Sequence, residues 1–224
     1  FNLKEHNYLK KFNQQIEINY GLGDGDLTNP ENILEYSKRF KNNLAHIVTA
    51  DGGIGGEEYD TKEYLNSKLI FSEMLTALLV QKKNGNFVLK TYSIYTNLSI
   101  QIINILQYHY QEVYITKPVT SRPANDELYI VALKFEGITK STSDSLLNVL
   151  KQWNNLKSNQ YLNTFLKSTE SKKEITKFNK KYSDLQIKSL KKIFNSKKYN
   201  QNQMKNQIDN MYLKAKNWYN KYNI

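Results

Sequence analysis

Gly85-Asn86-Phe87-Val88-Leu89-Lys90-Thr91-Tyr92 is a short apolar run that follows a glycine and stops abruptly at a lysine. Two other polar residues stand in comparable settings. Asp51 closes the run His46-Ile47-Val48-Thr49-Ala50, and Glu127 opens the run Leu128-Tyr129-Ile130-Val131-Ala132-Leu133. Runs of this length, alternating with helical patterns of ten or more residues, predict an α/β fold with a mostly parallel sheet. In such a sheet, ligands bind beyond the carboxyl ends of the parallel strands. Asp51 and Lys90 are then expected side by side at that edge. An antiparallel strand starting at Glu127 returns its first residue to the same place. Each residue taken alone reads more simply as a charged marker of a strand end. The three together predict an acid, an amine and a second acid around one crevice.

The flanking segments read outward from these runs. Leu44 to Ala50 predicts a buried parallel strand. Asp51-Gly52-Gly53-Ile54-Gly55-Gly56 follows it and holds four of the nine glycines. Close approach of the backbone to a ligand is one reason for such a turn, and a loose loop is the other. Asp60-Thr61-Lys62-Glu63 can start a helix reaching about Gln81, with Leu65, Leu69, Ile70, Met74, Leu75, Leu78 and Leu79 at helical spacing for a core. Lys82-Lys83-Asn84-Gly85 is expected to turn into a strand over 86–92. A helix over 96–110 carries Leu98, Ile102, Ile105, Leu106 and Tyr110 on one side. Val113-Tyr114-Ile115-Thr116 reads as a short strand. A proline-punctuated loop then leads to a last strand over 127–135, closing an antiparallel hairpin. Upstream, Gly21-Leu22-Gly23-Asp24-Gly25-Asp26-Leu27-Thr28 is a loop rich in glycine and aspartate, for which a surface turn is the commoner meaning. Asn29 can cap and Pro30 can open a helix that buries Ile33, Leu34, Tyr36 and Phe40.

Beyond Ser141 the pattern is helical and rich in lysine. Leu146, Leu147, Leu150 and Trp153 form one stripe, Leu185, Leu190, Ile193 and Phe194 a second, and Met204, Ile208, Met211, Tyr212, Ala215, Trp218 and Tyr219 a third. Core packing is the default for such stripes. The charge divides unevenly. The whole chain carries +11, and residues 138–224 hold eighteen lysines against five acids, so residues 1–137 are slightly acidic. A boundary near 137/138, with a basic helical extension behind it, suggests a polyanionic partner. A solvated basic helix surface explains the same charge almost equally well.

Composition excludes several classes. With 39% hydrophobic and 24% charged residues a packed core is available. There is no cysteine, hence no disulfide and no thiolate metal site. His6, His46 and His109 show no ligand spacing, so no metal site is expected. No apolar run reaches the ~20 residues needed to span a bilayer. Phe1-Asn2-Leu3-Lys4 has neither an initiator methionine nor a signal-peptide pattern, and the chain reads as the middle of a longer protein. Without a GxGxxG segment, a nicotinamide dehydrogenase finds no support.

Three linked motifs carry a resemblance: Thr49-Ala50-Asp51-Gly52-Gly53, the run from Gly85 to Tyr92, and Lys117-Pro118-Val119-Thr120-Ser121-Arg122-Pro123-Ala124-Asn125-Asp126-Glu127-Leu128-Tyr129. With the upstream Gly23-Asp24-Gly25-Asp26-Leu27-Thr28-Asn29-Pro30, they resemble the FtsJ-like ribose 2′-O-methyltransferases, most closely those acting on mRNA caps. The likeness covers residues 1–135. It implies a Rossmann-like methyltransferase sheet, mostly parallel with its last strand antiparallel, and S-adenosylmethionine as methyl donor. Asp51, Lys90 and Glu127 match three members of the family's Lys-Asp-Lys-Glu tetrad. Asp26 and Leu27, together with Asp51, match donor-side positions. Asn125 matches a contact to cap-proximal RNA, and Arg122 in the same loop suits a second contact or a loop anchor. The family's glycine-rich donor loop and first tetrad lysine have no counterpart and would precede Phe1. The resemblance implies capped mRNA as partner, is compatible with a capping-enzyme partner protein, and places the activity inside the cell. That means cytoplasm or virion for a large DNA virus, which the bias toward lysine, asparagine and tyrosine suggests, and the nucleus otherwise. A catalytically silent RNA-binding or scaffold subunit that keeps the fold is the alternative. In the expected chemistry, Lys90 takes the ribose 2′-hydroxyl proton or steers it, its amine kept neutral by burial and by positive charge from the missing tetrad lysine and the donor sulfonium, while Asp51 and Glu127 hold it without over-stabilising the ammonium.

Overall fold

The computed structural model describes residues 16–54, 62–119, 121–155, 169–196, 198 and 200–222. Asn29 accepts the Glu31 N–H at 3.1 Å and Pro30 occupies the first turn, so helix α1 (Pro30–Phe40) starts where its sequence signals put it. Strand β1 (Ala45–Ala50) follows, then helices α2 (Lys62–Leu65) and α3 (Ser67–Val80), strand β2 (Gln81–Thr91), helix α4 (Asn97–His109), and strands β3 (Tyr110–Thr116) and β4 (Leu128–Phe135). Helix α5 (Lys140–Lys151), a 3₁₀ turn at Trp153–Asn155, helix α6 (Thr169–Ser196) and helix α7 (Gln201–Tyr222) complete the order. No helix among the described residues is long and apolar enough to cross a membrane.

The sheet runs β1-β2-β4-β3. β1 and β2 are parallel, with Ala50 opposite Leu89. β4 lies antiparallel to both β2 and β3, so three strands share one direction and the last strand opposes them. That is the sheet the sequence predicts. The expectation of a buried first strand needs correcting. β2 is the only described neighbour of β1, and Ile47 is 66% exposed. An apolar run reports a strand but not whether both its faces are covered.

Two further boundaries differ from expectation. The sequence predicts a turn at 82–85 before a strand at 86. β2 instead begins at Gln81, and the register jumps from Ala45–Gln81 to Ile47–Asn86, so the turn is a bulge inside the strand. Asn84 takes φ 66° there. Buried Gln81 is held because the Tyr110 hydroxyl donates to its Oε1. The single helix expected over 60–81 breaks at Asn66, whose side chain is diverted to a loop. Its Oδ1 accepts the Ile54 N–H at 2.6 Å and its Nδ2 donates to the Lys62 carbonyl at 2.9 Å. Asp60, Thr61, Gly55 and Gly56 lie outside the described residues.

The core forms where α3 and α4 cover the sheet. Phe71, Met74, Leu75 and Leu78 of α3 join Phe87 and Leu89 of β2, Ile103, Ile105 and Leu106 of α4, and Ile130 and Ala132 of β4. Each such large side chain contributes about 1.5–3 kcal/mol on burial. Leu146, Leu147 and Leu150 of α5 enter the same cluster, as their spacing predicts. The other two C-terminal stripes do not. Leu185, Leu190, Ile193 and Phe194 are exposed, as are Met204, Ile208, Met211 and Tyr212. α6 docks through a different face, made by Ile175, Phe178 and Tyr182 together with amides. Asn179 Nδ2 donates to the Ile94 carbonyl at 2.6 Å, and the Tyr95 and Ser183 hydroxyls pair at 2.8 Å.

Candidate active site

The end of β1 and the end of β2 meet by register. Ala50 is paired with Leu89, which sets Asp51 level with Lys90 at the carboxyl edge of both strands. Lys90 Nζ donates to the Asp51 backbone carbonyl at 2.7 Å and lies 3.0 Å from Asp51 Oδ1. Its side chain is 12% exposed, whereas that of Asp51 is 75% exposed. β4 runs the other way, with Tyr129 opposite Lys90 and Leu128 opposite Thr91, so Glu127 arrives at this rim one residue before the strand begins. The structure therefore brings the acid, the amine and the second acid to one edge. Glu127 acts on Lys90 through its charge, while its Oε2 accepts from Asn125 Nδ2 at 2.8 Å.

Within the chain's own residues, the charge on Lys90 is set by opposing effects. Burial pulls its pKa down, as predicted. The Asp51 hydrogen bond, Tyr92 and the Asp51 and Glu127 charges outweigh that, and the amine stands above the ordinary lysine value. The physical reason is the company it keeps: two carboxylates face it, and they favour the ammonium. Two of its three N–H donors go to Asp51. Among the described residues the third has no protein acceptor.

The turn after Asp51 is fastened from behind by two buried side chains. Glu73 Oε1 accepts the Gly52 N–H at 2.8 Å, and Asn66 holds Ile54 as described above. A side chain at either glycine of this turn would displace a neighbour. A Cβ on Gly52 would run into Glu73 Oε1, and one on Gly53 would lie 2.7 Å from the Tyr92 hydroxyl and 3.7 Å from Lys90 Nζ. Tyr92 is buried against the rim, and burial raises its hydroxyl pKa.

The loop between β3 and β4 is organised by Lys117. Its ammonium donates to the Asn125 carbonyl at 3.0 Å, to Asn125 Oδ1 at 2.5 Å and to the Glu127 carbonyl at 2.8 Å. Desolvation lowers the Lys117 pKa, against the pull of Glu127 and Asp126. Asn125 thus spends its amide inside the loop, on Lys117 and Glu127, and its carbonyl also accepts from Gln186 Nε2 of α6 at 2.9 Å. Arg122 stands exposed in the same loop. Thr120 lies outside the described residues.

Asp26 and Leu27 occupy the turn before α1. Asp26 accepts from the Thr28 N–H at 2.8 Å and from the Thr28 hydroxyl at 3.1 Å, and Leu27 packs on the core. Among the described residues Asp26 makes no hydrogen bond or ion pair to the rim residues. Buried Asn32 shapes this turn, accepting the Leu22 N–H at 2.8 Å and donating to Asp24 and to the Asp26 carbonyl at 2.6 and 2.8 Å.

Sequence reasoning missed Glu73, Asn66, Lys117 and Gln186. Glu73 had a signal: it is the one charged residue in the apolar run Leu69-Ile70-Phe71-Ser72-Glu73-Met74-Leu75. Gln186 had none, being one amide in a polar helix.

The sequence model of the family described as FtsJ-like methyltransferase matches residues 4–135. A protein of African swine fever virus named "Probable methyltransferase EP424R" is 41% identical over 119 residues, which is 52% of this chain and 28% of that protein. The mouse protein named cap-specific mRNA (nucleoside-2′-O-)-methyltransferase 1 is 34% identical over 183 residues, 76% of this chain and 22% of its own length. The chain therefore spans about a quarter of the length of these curated relatives.

Proposed function

The chain belongs to the FtsJ-like methyltransferase family, and from that premise we propose that the whole protein transfers a methyl group to the ribose 2′-hydroxyl of cap-proximal nucleotides in mRNA. The observation that carries the reading is the Lys90 amine gripped twice by Asp51 at the rim where Glu127 arrives. Two relatives support the substrate class by their names, one a methyltransferase and the other specific for mRNA caps. No feature of the rim favours a catalytically silent subunit.

S-adenosylmethionine, the donor that this family generally uses, supplies a methyl group already activated on a positively charged sulfonium. The chain's residues fit that group on one side. The Asp51 carboxylate is open to a ligand, and Gly52 and Gly53 add no side chain of their own beside it. Asp51, with Asp26 and Leu27, would hold it.

The acceptor chemistry belongs to Lys90. As an ammonium it donates its remaining N–H to the hydroxyl oxygen and sets that oxygen in line for attack. As an amine it accepts the hydroxyl proton. A positive charge arriving next to it offsets the two carboxylates and frees its lone pair. Asp51 fixes the amine, and Glu127 balances its charge from across the rim. Positioning of this kind can account for several kcal/mol of a barrier. Asn125 and Arg122 share the loop fastened by Lys117; in this reading that loop meets the RNA, exposed Arg122 foremost because the Asn125 amide is engaged by Lys117 and Glu127, and the basic helices beyond residue 138 add affinity for its phosphates.

The test is methyl transfer from labelled S-adenosylmethionine to capped RNA by the full-length protein carrying Lys90→Ala. The expected result is a loss of roughly 10²–10⁴-fold in kcat with donor binding retained. Turnover at the unsubstituted level overturns the assignment.

A further inference from the structure

Glu73 sits in the middle of α3 and is 4% exposed, in an otherwise apolar stretch of the core. A carboxyl group there is costly unless its oxygens are paired. Only one of them is: Oε1 accepts the Gly52 N–H at 2.8 Å, and Oε2 is buried without a hydrogen-bond partner among the described residues. The bond crosses from the helix layer to the turn that carries Asp51. The fit is tight, since a Cβ on Gly52 would collide with the carboxyl and approach Leu69 to 3.1 Å.

Resting on the function proposed above, we propose that Glu73 is a positioning residue for methyl transfer: from behind the turn, its carboxyl fixes where Asp51 presents its carbonyl and carboxylate to Lys90. The turn has two internal anchors, Glu73 at Gly52 and Asn66 at Ile54, and the Glu73 anchor is adjacent to Asp51. Without it, among the described residues Asp51 is held by the end of β1 and by Lys90, with the next anchor of the turn, Asn66, three residues further on at Ile54.

The same carboxyl is coupled electrostatically to the pair it positions. Burial pushes it up to about 7, with the Gly52 N–H and Lys90 pulling down and Asp51 pushing up. Below that point a neutral acid holds Gly52. Above it a second carboxylate stands behind Asp51, repelling Asp51 and strengthening the ammonium of Lys90. Both effects oppose a reaction that needs the Lys90 lone pair.

The test compares full-length Glu73→Ala, Glu73→Gln and Lys90→Ala in methyl transfer to capped RNA from pH 6 to 9, with thermal unfolding of each variant measured alongside. The glutamine keeps a carbonyl for Gly52 and cannot ionise. Glu73→Ala should lose about tenfold or more in kcat with little change in KM for RNA, because alignment rather than binding is lost. Glu73→Gln should recover most of that loss at pH 7, and the inflection near pH 7 expected of the unsubstituted enzyme should be absent from it. Full kcat in Glu73→Ala, or an unchanged inflection in Glu73→Gln, overturns the proposal. Should the alanine variant fail to fold, the glutamine pH profile decides alone. A fully active Lys90→Ala variant defeats the underlying assignment. An inactive Lys90→Ala variant beside a fully active Glu73→Ala variant defeats only the role of Glu73.

Discussion

Lys90 meets Asp51 at both ends of that residue, at 2.7 Å from the backbone carbonyl and 3.0 Å from the carboxylate. A carbonyl at the end of a strand cannot rotate away as a side chain can. The amine is therefore located by backbone, through the sheet register and the turn held at Gly52, and tuned by the acid. This separates position from charge, and the two can be tested apart.

Asp51→Asn keeps the backbone carbonyl and removes the charge. Asp51 raises the Lys90 pKa both by hydrogen bond and by charge. Its loss lets the amine give up its proton at lower pH. If the free amine is the reactive form, the rising limb of kcat against pH in the full-length protein should move toward lower pH in Asp51→Asn, even as the maximum falls. A pH–rate series on both forms checks this. A falling limb that moves toward lower pH instead would mean that the ammonium, not the amine, is the working form.

Lys117 is the hub of the β3–β4 loop, and removing its charge should loosen what it ties. Lys117→Met keeps the stem and gives up three hydrogen bonds, to Asn125 twice and to Glu127. Hydrogen bonds from a charged donor are worth about 1.5–3 kcal/mol each, and they overlap here because they share one ammonium. The expected outcome is a stability loss of about 2 kcal/mol by urea unfolding, with faster proteolytic cleavage at Arg122. A variant cleaved no faster than the unsubstituted chain would show that the loop is held by other contacts, the Gln186 bond to Asn125 first among them.

The rim was legible in the sequence because strand ends write themselves there. Asp51, Lys90 and Glu127 each sit where an apolar run meets a polar residue, and the parallel and antiparallel registers then bring them together. Helix starts were legible for a similar reason. Asn29 and Thr96 each cap the helix that follows, accepting the Glu31 and Ser99 N–H groups. What lay outside the sequence pattern was whatever depends on a second layer. The exposure of β1 is set by what lies beside it. The break at Asn66 exists to serve Ile54. Glu73 serves Gly52, twenty-one residues away. The docked face of α6 uses Asn179, Tyr182 and Gln186 where the apolar pattern pointed to Leu185 and Leu190. The protonation of Lys90 rests on a balance that no sequence pattern ranks: burial pulls its pKa down, while the Asp51 hydrogen bond, Tyr92 and the Asp51 and Glu127 charges push it up.

Glu73 gives a stability signature that needs no activity. Its folded pKa of about 7 stands above the ordinary 4.5. A raised acid favours the folded state most when it is protonated in both states. That contribution is present below pH 4.5 and is lost as pH rises to about 7, because the unfolded chain ionises first. The full loss is about 3 kcal/mol, from two and a half pKa units at roughly 1.4 kcal/mol each. The unfolding free energy of the chain should fall across this window, and Glu73→Gln should flatten that fall by most of its depth. Parallel curves for the two forms would place the titration elsewhere.

The lysines of α6 offer the last separation, between a phosphate track and a merely solvated face. Ile175, Phe178, Asn179, Tyr182 and Gln186 turn toward the body, so Lys177, Lys180, Lys181 and Lys188 are left exposed on the opposite side. The helix reaches the β3–β4 loop, proposed above to meet the RNA, at Asn125, which sets these lysines on an element fastened to that loop. A solvated face contributes nothing specific to the salt dependence of RNA binding. A phosphate track contributes counterion release, about 0.7 in the log–log salt slope for each single-strand phosphate neutralised. Changing the four lysines to glutamine should then weaken RNA binding and shrink the slope by up to about 3 in magnitude, while leaving the fold intact because none of the four is buried. Affinity measured by fluorescence anisotropy from 50 to 300 mM salt decides the matter. A slope identical in both proteins assigns the basic charge of α6 to solvation, and leaves RNA contact to Arg122 and its loop.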